Sequence, residues 1–195
     1  MIQKVGRHWI RCGDVMQGTE SLVGTAGVDF IFVDPPRGAS KMQLWYTKEG
    51  LGQDGVTVPA FMAQLFETAT RAAHRSTVMF LVHGVRWDKT IREQAEQRGW
   101  NMAGTVPVSG GRLYIASREP LELSEQYLDP INGTRGKLTV ETALLSLGVR
   151  GRSLLDLTCG NGDTARFARK HNMVFYGNDF SPQRLSKVIK ILRNG

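Results

Sequence analysis

Residues Val28 to Val33 read VDFIFV, a run in which Asp29 alone interrupts apolar side chains. Such a run predicts a strand covered on both faces, as in a parallel sheet. Thr77 to His83, TVMFLVH, has the same character, and His8–Cys12, Ser153–Leu157 and Val174–Gly177 predict shorter strands. Between them, apolar residues recur at helical spacing. Pro59 opens a helix to about Ala73 with Phe61, Leu65, Phe66 and Ala69 on one face. Further helices are predicted over Asp88–Arg98, Thr139–Leu147, Thr164–His171, and from Ser181 and Pro182 to about Arg193. Met102–Val108 and Arg112–Ser117 flank Ser109-Gly110-Gly111 and predict a hairpin. Arg37 to Thr57 is Gly-rich and polar and reads as a long loop, and Glu119–Lys137 reads as irregular. Strands alternating with helices imply a mostly parallel α/β sheet, with no internal repeat and no linker.

The 195 residues suffice for one domain with a real core. Hydrophobic residues make up 41% and charged ones 22%, a globular composition without a stretch long enough for a membrane helix. The first residues, MIQKVGRHWI, lack an apolar signal core, so a cytoplasmic location is the expectation. Cys12 and Cys159 have no metal-type spacing and read as reduced thiols, and no metal site is expected. The net charge of +7 favours a polyanionic partner, nucleic acid above all.

Two constellations carry chemistry. LLDLTCGNGDTARFA, Leu154 to Ala168, is strand, glycine turn and helix, and Asp179 follows about 20 residues after the turn at the end of the next strand. Glycines at 160 and 162 let backbone approach a ligand closely, and an acid at that spacing suits ribose hydroxyls. Ala165 stands where a dinucleotide fold has its third glycine, which argues for a ribose without a diphosphate. Otherwise the turn is only a tight strand-to-helix connection, with Asp179 capping the last helix. The second constellation is Asp34-Pro35-Pro36-Arg37 at the end of the VDFIFV strand. An acid there sits where α/β sheets bind ligands, and two prolines remove backbone freedom.

The order of these pieces resembles the circularly permuted, beta-class group of amino-methylating DNA methyltransferases. The matching pieces are IRCGD (Ile10–Asp14), FIFVDPP, the helix TVETALLSL, LLDLTCGNG and FYGNDFSP, covering nearly the whole chain. The resemblance implies a Rossmann-like class I methyltransferase fold, mostly parallel, with a C-terminal antiparallel hairpin and a permuted motif order. It divides residues 1–195 into a catalytic half (1–98), a hairpin with a possible reduced target-recognition region (99–136) and a cofactor-binding half (137–195).

It further implies S-adenosylmethionine as cofactor, leaving as S-adenosylhomocysteine. Thr158, Cys159, Gly160, Asn161 and Gly162 would pass under its methionine part, with Asp156 near the amino group. Asp179 would hold the ribose, Asp14 would accept from the adenine amine, and Thr139 would lie near the methionine end. Asp34 and Pro35, fixed by Pro36, would accept the two N–H groups of a flipped base. Family members carry an aromatic after the prolines; Arg37 stands there and could stack through its guanidinium, or Trp45 or Tyr46 could take that role. Arg112 and Arg118, with Tyr114 and Arg135, are candidate phosphate or base contacts, or a solvated face. DNA is the implied partner, adenine-N6 ahead of cytosine-N4, with RNA, a homodimer, a partner subunit and a restriction partner left open, and a prokaryotic or phage origin implied. Two other readings stand beside this: a methyltransferase-like binding protein of weak or lost activity, motivated by Arg37, and a small-molecule or protein methyltransferase.

Overall fold

The structure is a computed structural model describing residues 1–48, 50, 57–148 and 153–193. Eight strands form one sheet: β1 (Ile2–Val5), β2 (His8–Cys12), β3 (Val28–Val33), β4 (Ala73–His83), β5 (Asn101–Val108), β6 (Gly111–Ser117), β7 (Ser153–Asp156) and β8 (Val174–Asp179). Their spatial order is β1-β2-β8-β7-β3-β4-β6-β5. Strands β2, β8, β7, β3 and β4 run parallel, while the β5–β6 hairpin and β1 add antiparallel edges. The last two strands of the chain therefore sit between the second and third.

The helices are α1 (Glu20–Val23), α2 (Ala39–Lys48), α3 (Val58–Ala72), α4 (Asp88–Gln97), α5 (Glu125–Leu128), α6 (Lys137–Ser146), α7 (Asp163–Lys170) and α8 (Pro182–Arg193). They cover both faces. On β3, Phe30 and Phe32 join the core under α6, α7 and α8, while Ile31 and Val33 join the core under α1 to α4. Phe80 and Val82 of β4 alternate with Met79 and Leu81 in the same way. This two-sided burial is why both strands read as continuous apolar runs.

Because α7 lies on one face and α3 on the other, the chain leaves β7 and β3 in opposite directions. These strands are neighbours, pairing Phe32 with Asp156, so the crevice beyond their carboxyl ends is a topological switch point. At the opposite end of the same pair, the Asp29 carboxylate accepts from the backbone N–H (3.0 Å) and the hydroxyl (2.6 Å) of Ser153. This pair fixes the register of the two strands.

The sequence reading needs four corrections. Residues 39–48 are a helix, not part of a loop; Met42 and Tyr46, four apart and both buried, are the helical signal among flanking glycines. Of that expected loop, residues 49 and 51–56 lie outside the described residues. Strand β1 was not anticipated, and the irregular stretch contains α5 and a 3-10 turn at Asp129–Ile131. The antiparallel hairpin is β5–β6, in the middle of the chain rather than C-terminal.

Gly160 and Gly162 both have positive φ, at 47° and 85°, yet they meet different surroundings. A Cβ on Gly162 would lie 2.8 Å from Ile191 and 3.2 Å from Val188 of α8, whereas one on Gly160 would meet nothing closer than 3.7 Å. Gly160→Ala should cost about 1–2 kcal/mol from the left-handed backbone alone. Gly162→Ala should cost about 1–3 kcal/mol more, from overpacking against α8. Urea denaturation of the two variants checks this, and equal losses would contradict the packing account.

Candidate active site

The carboxyl ends of the parallel strands open onto a cavity of about 730 Å³. Its wall brings together the DPP turn after β3, Leu157 and Thr158 after β7, the end of β8 and helix α2: Asp34, Pro35, Pro36, Arg37, Trp45, Tyr46, Thr158, Asp179, Phe180 and Arg184 are all part of it, whereas Asp14, Asp156 and the glycine turn Cys159, Gly160, Asn161 and Gly162 lie behind or beside it. A volume of this size suits a small-molecule cofactor.

The two turns are joined directly. The Asp34 N–H donates to the Thr158 hydroxyl at 3.0 Å, a bond between residues 124 apart in sequence. The Thr158 hydroxyl thereby ties the two motifs together. Asp156 is buried just behind, accepting from the Thr158 N–H at 2.8 Å and the Thr164 hydroxyl at 2.6 Å. Thr164 thus fixes Asp156 and does not cap α7, whose N-cap is Gly162. Burial raises the Asp156 pKa to about 7, its two hydrogen bonds oppose the rise, and the charges of Asp179 and Asp34 add to it. With its folded pKa above the unfolded value, Asp156 stabilises the fold at low pH, and that contribution is lost as pH rises through about 7.

Asp179 is held by two backbone donors, the N–H groups of Gly160 and Ser181, each at 2.9 Å. It therefore braces the glycine turn and the start of α8 at once, so the acid expected to meet a ribose is also a structural brace. The space above Gly160 is open, as the ordinary 3.7 Å approach to its absent Cβ indicates. Cys159 is buried, and burial pushes its thiol pKa up. Asn161 is exposed and accepts from Lys187 at 3.5 Å. Asn178, which the sequence did not single out, is buried and donates to the Leu157 carbonyl at 3.1 Å while accepting from Arg11 at 2.7 Å.

The DPP turn carries its own partner. The Asp34 side chain is 42% exposed in the cavity wall, and Arg37 lies 3.4 Å from its Oδ1. Desolvation raises the Asp34 pKa, and the Arg37 charge works against that rise. Arg37 also donates to the Ser109 carbonyl at 2.9 Å, and a Cβ on Gly110 would lie 2.5 Å from its Nη1. The guanidinium is therefore folded onto the β5–β6 turn. His83 is fully buried at the end of β4, and burial lowers its pKa to about 4, so it is neutral at pH 7.

Other expected site residues lie differently. Thr139 is buried and pairs with the Thr134 hydroxyl at 2.9 Å, away from the cavity wall. Arg112 is bonded to Asp88 at 3.1 Å, and Arg118 donates to the Arg98 and Gly99 carbonyls at 2.6 and 3.0 Å while lying over Trp100. Tyr114 is buried. These side chains serve α4 and the hairpin. Trp45 and Tyr46 turn inward: Trp45 stacks on the Arg184 guanidinium, 3.3 Å from ring centroid to carbon, and Tyr46 is almost fully buried against Phe180. Arg184 also approaches Asp179 to 4.0 Å. Arg37, Lys41, Lys48 and Arg184 give the cavity wall four cations. No group of three or more His, Cys, Asp or Glu among the described residues could hold a metal ion, and no described helix is long and apolar enough to cross a membrane.

No protein-family profile matches the chain, and no curated protein matches it in sequence. Solved structures do match. TTHA0409 of Thermus thermophilus, assigned as a DNA modification methylase and solved with S-adenosyl-L-methionine, superposes with a TM-score of 0.67 at 11% identity, covering 96% of this chain and 93% of that one. The M1.HpyAVI–SAM complex gives a TM-score of 0.67 at 14% identity, covering 94% of this chain and 98% of that one. At these identities the likeness establishes the architecture: the chain adopts the Rossmann-like methyltransferase fold.

Proposed function

We propose that this chain is a DNA methyltransferase that uses S-adenosylmethionine to methylate an exocyclic amine of a flipped base, adenine-N6 ahead of cytosine-N4. The observation that carries the reading is the Thr158–Asp34 hydrogen bond, which ties the DPP turn to the residue two before Gly160, both partners being in the wall of one cavity. The fold neighbours solved with S-adenosylmethionine support the cofactor. So does the fit of the residues: a glycine turn with open space at Gly160, a ribose-type carboxylate braced against it, and a cavity of about 730 Å³ that Asp179 lines. Motif order, with DPP early and the glycine turn late, supports the amino-methylating class. The cationic cavity wall and the net charge of +7 support a nucleic-acid substrate.

The cofactor, when bound, supplies a methyl group made electrophilic by its sulfonium. Asp179 and the Gly160 turn would hold the ribose and the methionine part, with Asp156 behind them. An exocyclic amine is a poor nucleophile because its lone pair is conjugated into the ring. The Asp34 carboxylate and the Pro35 carbonyl would accept its two N–H groups, drawing the nitrogen toward tetrahedral geometry and aiming the lone pair. Holding both reactants in register can supply roughly 7–11 kcal/mol. Asp34 would also stabilise the positive charge that develops on nitrogen. Reaching this cavity requires the base to leave the stack, at a cost of a few kcal/mol.

Arg37 favours a second reading, a binding or partner subunit of low activity, because the guanidinium already pairs with Asp34. The assays below separate the two, since turnover on DNA belongs only to the first.

Asp34→Ala should lower incorporation of labelled methyl into unmethylated DNA by about 10²-fold or more, with unchanged binding of S-adenosylhomocysteine. Equal incorporation would contradict the assigned role. Asp179→Asn should weaken S-adenosylhomocysteine binding by roughly tenfold or more, read by calorimetry on protein whose melting is checked in parallel. Wild-type affinity in that variant would move the ribose elsewhere. Arg37→Tyr, which frees Asp34 and places a ring after the prolines, should raise the methylation rate; an unchanged rate would remove Arg37 from both readings.

A further inference from the structure

Strand β2 ends beside β8, with Cys12 paired to Asp179 and the Gly13 N–H donating to the Asp179 carbonyl at 3.1 Å. Asp14 and Phe180 therefore leave adjacent strand ends together. A nucleoside with its ribose on Asp179 would lay its base against Phe180, with its edge toward Asp14. In the free protein that place is filled by the chain itself. The Tyr46 ring lies parallel to Phe180, with centroids 5.5 Å apart and planes within 5°, an offset stack. Its hydroxyl donates to Asp14 Oδ1 at 2.8 Å. A phenol there presents the two features of a purine bearing an amine, a flat face and an outward donor. Burial and the neighbouring Asp14 carboxylate hold the Tyr46 hydroxyl in its protonated, donating form.

Tyr46 is delivered by α2, a ten-residue helix preceded by Gly38 at φ 96° and followed by Gly50 at φ 70°. Its buried residues are Met42 and Tyr46. Trp45, the residue before, holds the same helix to α8 through Arg184. A segment that follows the DPP turn thus closes over the opposite half of the cavity.

We propose that Tyr46 is a resident occupant of the base subsite, an affinity-determining residue that competes with the purine of the cofactor for Phe180 and Asp14. This rests on the reading that the cavity takes an adenine nucleoside. Binding then requires the ring to leave, and the apparent dissociation constant is the intrinsic one divided by the fraction of molecules with Tyr46 displaced. The purine takes over the Phe180 face and the Asp14 carboxylate as the phenol gives them up. The helix moves with the ring, so Trp45 parts from Arg184 when ligand enters.

The test is calorimetric titration of wild type, Tyr46→Phe and Tyr46→Ala with S-adenosylhomocysteine, after thermal melts confirm that each variant is folded. Tyr46→Phe keeps the ring and removes the bond to Asp14; Tyr46→Ala removes both. The expected result is tighter binding in both variants, about tenfold in Tyr46→Ala and less in Tyr46→Phe. In wild type, Trp45 emission should change on titration, and Trp45→Phe should abolish that change. Unchanged or weaker binding in both variants, with wild type binding normally, overturns the proposal and leaves the cofactor assignment intact. Absence of binding in wild type and both variants overturns the cofactor assignment and the proposal with it.

Discussion

A single hydrogen bond, from the Asp34 N–H to the Thr158 hydroxyl at 3.0 Å, joins the two ends of this chain at the point where its chemistry is proposed to occur. Everything else at the site depends on that junction. Parallel strands β3 and β7 place their carboxyl ends side by side, and the helices that follow diverge to opposite faces of the sheet. The crevice between them is the one position where a rigid dipeptide after one strand and an open glycine turn after the next can face the same ligand. The Asp29–Ser153 contacts hold the far end of that pair in register.

Charge at the site is divided by depth. Asp156 and Asp179 lie at the base, buried and held by hydrogen bonds from the glycine turn and its flanks. Arg37, Lys41, Lys48 and Arg184 lie in the wall nearer solvent. The inner acids suit a cationic sulfonium and its ribose, and the outer cations suit a phosphate backbone. Asp34, more exposed than either buried acid, has Arg37 as its partner in the free protein. Tyr46 lies on Phe180 and donates to Asp14 in the same state. Both contacts come from the segment that directly follows the DPP turn.

Much of this was legible in the residues. The two-faced burial of β3 and β4 followed from continuous apolar runs, and the glycine turn with its trailing acid was visible as spacing. What was not legible is instructive. Helix α2 hides among glycines, with only the Met42–Tyr46 spacing to mark it, so Trp45 and Tyr46 read as loop aromatics free to meet a base. Arg184 read as a solvated helix position because helical periodicity says nothing about a neighbour as distant in the chain as Trp45. Arg112 and Arg118 read either as phosphate or base contacts or as a solvated face because sequence shows their charge but not Asp88 or the carbonyls at the end of α4. Thr139 was assigned by motif proximity alone, and a buried hydroxyl pair with Thr134 took precedence.

The central claim is that Asp34 and the glycine turn serve one bound cofactor. A crystal structure of the protein with S-adenosylhomocysteine tests it most directly. The account predicts ribose hydroxyls on Asp179, the methionine part over Gly160, and the sulfur facing Asp34 across the cavity. A ligand bound with its sulfur turned away from Asp34, or seated outside the crevice between β7 and β3, would contradict it.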